Sequence, residues 1–368
     1  MRKLAWTAWA LAMLAVAPDL SARESSRAKE VPVRNVIYMI GDGMGLTHVS
    51  MMMLEEGYRP TSFDRSQNVA LITTYSANNR VTDSAAAGTA LASGRKTNNG
   101  MLGMTPDGET FESMMEKAMD EGWKAGLVVT VYLQHATPAA FYAHVPSRND
   151  LDEISEQFVE SGVDVAFGGG RKFLAADRGD GKTLIDELKA KDYRVVYDLQ
   201  EADAVDRGRI VGLFSEEYMP TVLNGRDENY LCDATKKALE ILTNKGGFLL
   251  MVEGSQIDSE AHANNAQGIL AETRDFDRAV GAAMDYADAH PGTLVVVTAD
   301  HETSGLSITS NETDFTLSDS GVGYHFGTTG HSGTMVPVYL YGTGAERING
   351  VMDNTELSKK IQSLMGLE

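Results

Sequence analysis

Short apolar runs recur along the chain, and each is bounded by glycine or polar residues. The clearest are rich in Val, Ile, Leu and Met and cover residues 35–40, 125–130, 247–253 and 293–299. Apolar residues at consecutive positions are typical of strands that are buried on both faces of a parallel sheet. The pattern therefore predicts a sheet whose core contains these strands.

Helical segments are expected between the strands. This alternation predicts an α/β fold, with a doubly wound, largely parallel central sheet and helices on both faces. The expected strands are 35–40, 69–74, 125–130, 164–168, 209–214, 247–253, 293–299 and 335–341. The expected helices begin after residue 46 and cover 84–93, 110–121, 137–144, the turns after 150, 182–190, 230–244, about 261–289 and 354–365.

The chain is long enough for one large domain. It has 368 residues, of which 43% are hydrophobic, so it can bury a substantial core. No Pro- or Ser-rich linker and no shift in composition divides it, and we expect a single domain over residues 35–368. Within that domain, 150–230 has shorter elements and forms a variable middle region. Residues 303–330 are rich in Ser, Thr and Gly and form a loop or a small insertion.

The N-terminal residues have the features of an export signal. A short basic start is followed by an apolar stretch over residues 4–17, which is short for a membrane span. Cleavage after Ala17 or Ala22 fits the small residues there, and an uncleaved membrane anchor is the alternative. We expect a cleaved signal peptide at 1–22, a disordered lead-in at 23–34, and a secreted or periplasmic protein that does not contact the membrane after cleavage.

Charge and cysteine content narrow the function classes. The formal net charge is −20 and the sequence pI is near 4.8, which argues against nucleic-acid binding through a basic patch. Divalent cations are expected to neutralise part of this acidity. Cys232 is the single cysteine, so no intramolecular disulfide can form. It lies in an amphipathic stretch, which favours a buried helix residue over a nucleophile.

Carboxylate and imidazole side chains stand at the ends of several predicted strands. Asp42 follows the first strand, Glu253 ends another, and Asp300 and His301 follow a third. Because ligands bind beyond the carboxyl ends of strands in open α/β sheets, we expect these side chains at one edge of the sheet. The pattern indicates a multinuclear metal site.

Each of these signals also has a plainer interpretation. Asp258 and His262 are four residues apart and share one face of a helix, which suits Zn²⁺ but also an exposed ion pair. Their position directly after the strand that ends in Glu253 favours ligands. Asp42 lies between two glycines and could be a turn residue. His331 lies in a loop and is uninformative without the others.

Ser84 begins a predicted helix that is rich in small residues. A serine at this position is usually a cap, but a helix N-terminus also attracts anions through its free N–H groups and its dipole. Next to a zinc ion, the Ser84 hydroxyl could ionise and act as a nucleophile. Arg148 could bind a phosphate through its bidentate guanidinium, although alone it would be taken for a surface residue.

Together these motifs resemble the metal-dependent alkaline phosphatase family, in particular its secreted bacterial members. The resemblance covers most of the chain after residue 35, and it implies the three-layer sandwich of that family. Any one motif could occur by chance, but their joint presence in this order is specific. They lie at 41–45, 82–86, 135–144, 168–172, 253–258 with His262, 298–302 and 329–332.

The resemblance implies roles for individual residues. Ser84 corresponds to the serine that becomes a phosphoserine, and Arg148 to the phosphate-binding arginine. His135 lies at the substrate site, at a position where one branch of the family has Asp. The implied cofactors are two Zn²⁺ and one Mg²⁺. Their ligands would be Asp258, His262 and His331 for the first zinc, Asp42, Asp300 and His301 for the second, and Asp42, Thr137 and Glu253 for the magnesium.

The implied activity is hydrolysis of phosphate monoesters at alkaline pH through two in-line displacements. Small-molecule monoesters of many kinds are expected as substrates, because the site holds phosphate and leaves the ester group in solvent. Ser259 stands where many members have a large side chain, which predicts faster product release. The short insertion regions leave open whether the protein is a monomer or a homodimer.

Two other classes compete with this interpretation. The first is a phosphodiesterase, sulfatase or phosphonate hydrolase with the same metal-site fold. The residues around Ser84 argue against it, since diesterases of this type usually have Thr and sulfatases have a Cys/Ser-x-Pro-x-Arg motif. The second is a non-catalytic protein that binds metal or phosphate. An inactive relative should have lost a ligand or the nucleophile, and none is missing from this sequence.

Overall fold

The computed structural model describes residues 31–179, 181–311 and 321–367. The expected signal peptide and most of the expected lead-in, at 1–30, lie outside the described residues. Contacts group Pro32–Glu368 into one compact unit. In the part of the chain that the structure describes, no helix is long and apolar enough to cross a membrane.

A ten-stranded mixed sheet forms the centre of the molecule, which confirms the predicted α/β class. Its strands, in chain order, are β1 Asn35–Gly41, β2 Asn68–Thr73, β3 Lys124–Tyr132, β4 Val165–Gly169, β5 Tyr193–Val196, β6 Arg209–Leu213, β7 Phe248–Gly254, β8 Thr293–Thr298, β13 Val336–Gly342 and β14 Gly350–Asp353. Their order across the sheet is β14-β2-β13-β8-β1-β7-β3-β4-β6-β5. Strand β13 runs antiparallel to both neighbours, and the other pairs are parallel.

Helices connect the strands. They are α1 Leu46–Glu55, α2 Ser84–Ser93, α3 Met114–Asp120, α4 Ala136–Ala139, α5 Leu151–Glu160, α6 Arg171–Leu174, α7 Leu184–Ala190, α8 Leu199–Asp203, α9 Tyr230–Leu242, α10 Gln256–His262, α11 Ala266–Ala289 and α12 Asn354–Met365. The central strands β1, β7 and β8 are almost entirely buried, as their continuous apolar sequences predict. The carboxyl ends of these strands therefore lie in the buried interior of the molecule.

Three predicted helices have other bounds in the structure. The predicted helix 110–121 begins only at Met114, because the Ser113 hydroxyl accepts from the Glu116 N–H and stops the helix there. The predicted helix 137–144 is one turn, and the His144 N–H instead donates to Gln157. The predicted helix 261–289 is two helices, α10 and α11, separated at Asn264, where φ is 50°.

Several short elements were not predicted from the sequence. Strand β5, helix α8 and the edge strand β14 have four or five residues each, too few for a periodic pattern to show. Segment 303–330, predicted as a loop or small insertion, contains β9 Glu302–Thr303, which begins just before it. It also contains the hairpin strands β10 Leu306–Ser310 and β11 Val322–Phe326. The short strand β12 His331–Ser332 then pairs with β9 in antiparallel register.

A buried triad of charged residues, Arg226, Glu272 and Asp275, connects the segment before α9 to the long helix α11. The Arg226 guanidinium donates to Glu272 and, at 2.9 Å, to Asp275, and these three side chains are at most 2% exposed. Arg226 also donates to the Pro220 carbonyl at 2.9 Å. The same segment carries Tyr218, whose ring centroid lies 6.0 Å from that of His135. The triad therefore positions a segment that reaches the candidate site.

Replacing Arg226 by methionine is expected to destabilise the protein by about 3–5 kcal/mol, because the change leaves two buried carboxylates without their cation. The matched control is Arg278→Met on α11, whose partly exposed guanidinium bonds to Glu228. It should cost about 1 kcal/mol or less. Denaturant midpoints of the metal-loaded protein measure both effects. Equal losses for the two variants would contradict the role given to the triad.

Candidate metal centre and nucleophile

The register of the three central strands brings acidic side chains to one edge of the sheet. Ile40 at the end of β1 pairs with Glu253 of β7 and with Thr298 of β8. Asp42 follows β1 directly, and Asp300 follows β8 by two residues. Because the parallel strands are in register, the carboxylates of Asp42, Glu253 and Asp300 lie close together at their ends. All three are fully buried.

Gly43 allows the chain to turn closely around this edge. Its φ is +71°, and its N–H donates to Asp300 Oδ1 at 3.1 Å. A Cβ at this position would lie 2.7 Å from Asp258 Oδ1 and 2.8 Å from Thr303 Oγ1. Both the backbone angle and the lack of space therefore require glycine next to Asp42.

The first ligand group contains Asp258, His262 and His331, as the sequence predicts for the first zinc. Helix α10 holds two of them one turn apart, with His262 Nε2 3.2 Å from Asp258 Oδ2. His331 Nε2 lies 3.2 Å from His262 Nε2 and 3.8 Å from Asp258 Oδ1. The Nδ1 atoms of His262 and His331 contact the carbonyls of Thr329 and Thr82, at 2.6 and 2.8 Å. These carbonyl contacts orient both Nε2 atoms toward the group.

The second ligand group surrounds His301 Nε2. This atom lies 3.4 Å from Asp42 Oδ1 and 3.2 Å from Asp300 Oδ2, the two carboxylates that the sequence predicts to share its metal. Asp258 also comes within ligand distance of Asp42 and His301. The two groups therefore share Asp258 and are adjacent, as a pair of neighbouring metal ions requires.

A third ligand group also includes Asp42. It contains Asp42, Glu253 and His135, whose ligand atoms lie within 4.8 Å of one another. The Thr137 hydroxyl lies 3.4 Å from Asp42 Oδ2. The sequence interpretation placed His135 at the substrate, whereas the structure also places it among these ligands. The sequence did contain a signal for this ligand role, because the His135 imidazole directly precedes the turn that contains Thr137.

Buried polar atoms at the centre fit metal ions. Asp42 Oδ1, both Glu253 oxygens, Asp300 Oδ2 and His135 Nδ1 have no hydrogen-bond partner among the described residues. Leaving such atoms unpaired in the interior is costly unless a cation or water satisfies them. The unpartnered atoms belong to the second and third groups, where oxygen and imidazole ligands suit Zn²⁺ and Mg²⁺.

The electrostatics of the centre reflect a high density of buried negative charge. Burial raises the pKa of Glu253 to about 8 and that of Asp300 to about 7. Burial, followed by the charges of neighbouring carboxylates, raises the pKa of Asp42 well above its usual range. Burial also acts to raise the pKa of Asp258, but His262 and the other imidazoles outweigh it, and that pKa lies well below its usual range. A bound cation would favour the ionised form of each carboxylate.

The candidate nucleophile stands at the N-terminus of helix α2, as predicted. Asp83, not Ser84, is the cap: its side chain accepts from the Ala86 N–H at 3.0 Å. The Ser84 hydroxyl is therefore not used for capping. Its Oγ lies 3.2 Å from His301 Nε2, so the hydroxyl faces the second ligand group.

Arg148 contacts both the capping residue next to Ser84 and a residue of the third ligand group. Its guanidinium lies 3.3 Å from Asp83 Oδ2 and 3.3 Å from His135 Nε2. Its backbone N–H donates to the Gly100 carbonyl at 2.7 Å, and Asp83 Oδ2 accepts from the Gly100 N–H at 3.0 Å. Asp83 thus fixes the position of Arg148 relative to the start of helix α2. A cation beside a free hydroxyl is suited to holding a phosphate for attack.

The structure brings every site residue proposed from the sequence to one edge of the sheet. Two tyrosine rings that were given no role from the sequence lie next to His135. The Tyr132 ring centroid lies 5.2 Å from that of His135 and 5.1 Å from that of Tyr218, which is 46% exposed. Tyr218 comes from the segment before α9, far from any recognised motif, so no sequence signal placed it here.

The comparisons with known proteins agree with this arrangement. A family model described as alkaline phosphatase matches residues 33–320. Alkaline phosphatase 4 of Bacillus subtilis is 38% identical over 313 residues, which cover 80% of this chain and 67% of the relative. Streptomycin-6-phosphate phosphatase of Streptomyces griseus is 34% identical, and the match covers 97% of this chain and 96% of the relative.

The solved structures that this chain resembles are also alkaline phosphatases. The alkaline phosphatase of the Antarctic bacterium TAB5 superposes with a TM-score of 0.85 at 35% identity, covering 92% of this chain and 100% of that one. A variant of that enzyme, in which a histidine is replaced by aspartate, has Mg bound in its M3 site; it superposes with a TM-score of 0.84 at 34% identity over the same shares of the two chains. The present chain belongs to the alkaline phosphatase family, whose members are metal-dependent phosphoric monoester hydrolases.

Proposed function

We propose that the protein hydrolyses phosphate monoesters through a phosphoserine at Ser84, at a site that binds two Zn²⁺ and one Mg²⁺. The observation that carries this proposal is the position of the Ser84 hydroxyl. Its Oγ lies 3.2 Å from His301 Nε2, at the start of a helix whose capping is done by Asp83. A buried hydroxyl that is free of capping and faces metal ligands is suited to nucleophilic attack.

The residues of this chain perform the steps as follows. Arg148 binds two oxygens of the phosphate and turns the phosphorus toward Ser84. Ser84 Oγ gives up its proton as its bond to phosphorus forms and the ester bond breaks, and the departing alkoxide takes up a proton. Water then attacks the phosphoserine from the side that the alcohol has left. The bond from Ser84 Oγ to phosphorus breaks, one proton of this water passes to Ser84 Oγ, and the remaining hydroxyl leaves with phosphorus as inorganic phosphate.

The three ligand groups would hold the ions. Bound ions supply Lewis-acid chemistry: they lower the pKa of a hydroxyl or a water molecule and neutralise negative charge on the leaving oxygen. In the proposed assignment, Asp258, His262 and His331 hold one zinc, and Asp42, Asp300 and His301 hold the other. Asp42, Glu253 and Thr137 supply oxygens for magnesium.

His135 has a double role in the proposal. Its Nε2 lies 3.3 Å from the Arg148 guanidinium, so it orients the group that binds phosphate. It is also within ligand distance of Asp42 and Glu253. The Mg bound in the M3 site of the TAB5 variant supports a magnesium ion in this family, and we assign such an ion to the place where Asp42, Glu253 and His135 meet in this chain.

Partners and location follow from the same considerations. Small-molecule phosphate monoesters are the proposed substrates, because Arg148 and Ser84 would bind the phosphate group. The ester group can extend into solvent, since Tyr218 beside the site is exposed. The basic and apolar start of the sequence supports export, so we propose a secreted or periplasmic enzyme.

The test compares p-nitrophenyl phosphate with its bis-ester from neutral to strongly alkaline pH, with Zn²⁺ and Mg²⁺ supplied. We expect kcat/KM for the monoester to exceed that for the diester by a factor on the order of 10³, because the site is built for a dianionic phosphate. Activity should rise with pH, vanish with EDTA and return when zinc is added. Dominant diester hydrolysis would assign the chain to a diesterase function, and zinc binding without turnover would indicate a binding protein.

A further inference from the structure

One hydroxyl group connects the first and second ligand groups. Thr303 is fully buried in strand β9, and its Oγ1 lies 2.5 Å from Asp258 Oδ1 and 3.1 Å from His301 Nδ1. Asp258 belongs to both groups and is assigned to the first zinc, whereas His301 belongs to the second group alone. Among the described residues, no other side-chain hydroxyl forms hydrogen bonds to both Asp258 and His301.

The backbone around Thr303 holds this hydroxyl in place. Its N–H donates to the Gly43 carbonyl at 3.1 Å, and β9 pairs with β12 so that Thr303 stands opposite His331. On its far side, the missing side chain of Gly43 leaves just enough room for Thr303 Oγ1 and Asp258 Oδ1. Thr303 is therefore fixed by three chain segments, each of which also carries or adjoins a ligand.

The direction of the hydrogen bonds follows from the number of hydrogen atoms available. A hydroxyl has one hydrogen, and an ionised carboxylate has none to give, so Thr303 Oγ1 donates to Asp258. The same oxygen must then accept from His301, which places the imidazole hydrogen on Nδ1. His301 Nε2 is left with a free lone pair, and it faces Ser84 Oγ, Asp300 and Asp42.

We propose that Thr303 is a positioning residue that holds His301 in the Nδ1–H tautomer and links its orientation to that of Asp258. Histidines that bind metals usually donate their second ring N–H to a carboxylate, a carbonyl or water, and such partners affect metal affinity about 10–100-fold. Here the partner is a hydroxyl that in turn bonds to a ligand of the neighbouring ion. Loss of this one group should therefore weaken both zinc sites.

The tautomer is directly measurable in the full-length protein. Long-range ¹⁵N–¹H correlation spectra of histidine-labelled protein distinguish Nδ1–H from Nε2–H, and His301→Gln identifies the signal among the eight histidines. We expect His301 to be the Nδ1–H tautomer with and without zinc. The opposite tautomer in the unsubstituted protein would overturn the proposal, whatever the variants do.

Thr303→Val removes the hydroxyl at nearly constant volume, and Thr303→Ser keeps it. We expect Val to mix the His301 tautomers and to lower the affinity for both zinc ions about 10–100-fold in titrations against a competing chelator. Ser should restore both properties. The matched control is Thr273→Val in α11, which removes a buried hydroxyl that bonds to the Ile269 carbonyl. It should change neither.

The proposal rests on the proposed metal-dependent function, but its test does not require turnover. If Thr303→Val keeps the Nδ1–H tautomer and the wild-type zinc affinities, the positioning role is wrong even if the protein is an active phosphatase. If the tautomer and affinities change as expected in a protein that shows no phosphatase activity, the positioning role stands and the proposed function fails.

Discussion

Ser84→Ala is expected to lower kcat for phosphate monoesters by a factor on the order of 10⁴. The substitution removes the Oγ that lies 3.2 Å from His301 Nε2 and leaves water as the attacking group. Arg148 and the metal ligands remain, so phosphate binding should be largely retained. Steady-state kinetics with p-nitrophenyl phosphate and a competition assay with inorganic phosphate measure the two quantities.

Ser93→Ala is the matched control for this substitution. Ser93 ends the same helix, and its buried hydroxyl donates to the Thr89 carbonyl at 2.6 Å, away from the ligand groups. It should keep nearly full activity. Acid quenching during turnover should trap phosphate on the unsubstituted protein and on Ser93→Ala, but not on Ser84→Ala. Full activity of Ser84→Ala would exclude the phosphoserine pathway.

Removal of the metal ions is expected to lower Tm by at least about 10 °C at alkaline pH. Each ion that binds the folded state alone contributes about 4 kcal/mol when its free concentration is about 1,000 times its Kd. The structure gives a reason for the loss: Asp42, Glu253 and Asp300 are fully buried and have oxygens that no described residue satisfies. Calorimetry with and without EDTA measures the change.

The loss of stability on removal of the ions should increase as the pH rises. In the ion-free protein, the pKa of Glu253 is about 8 and that of Asp300 about 7, both above the values near 4 that are expected in the unfolded chain. Between the unfolded and the folded values the folded chain keeps protons that the unfolded chain has released, so its stability falls from about pH 4 to about pH 8 and then levels off. The difference in Tm between loaded and chelated protein should widen from about pH 5 to about pH 8, and these two groups should change it little at higher pH.

Glu253→Gln separates the contribution of one carboxylate. The amide cannot ionise, so the chelated variant should lose part of this pH dependence and become more stable than the chelated parent at alkaline pH. Magnesium should raise the Tm of Glu253→Gln less than it raises the Tm of the parent protein. A pH dependence that is unchanged in Glu253→Gln would show that this carboxyl group is not the source.

Much of the fold could be predicted because its central strands are continuous apolar runs. Strands β1, β7 and β8 are buried on both faces, so their sequences identify them without any contact information. The edge of the sheet could not be predicted in this way. Strand β14 is four residues long and pairs with β2, and a single buried residue, Met352, is too little for a pattern.

The candidate site shows a similar division. Asp42, Glu253 and Asp300 could be located because each follows a buried strand, and the geometry of parallel strands fixes where they meet. The role of Thr303 could not be inferred, because it depends on a 2.5 Å contact with Asp258 of another segment, 45 residues away. Threonine in a Ser/Thr-rich stretch carries no local signal of such a contact.

The wide spacing of the ligands along the chain has a kinetic consequence. They extend from Asp42 to His331 and become neighbours only when strands from most of the chain have paired. An unfolded or partly paired chain cannot present them together, so the ions have little to bind before folding is nearly complete. Interactions that form after the transition state slow unfolding and leave the folding rate almost unchanged. The ions would thus act mainly by lengthening the lifetime of the native protein.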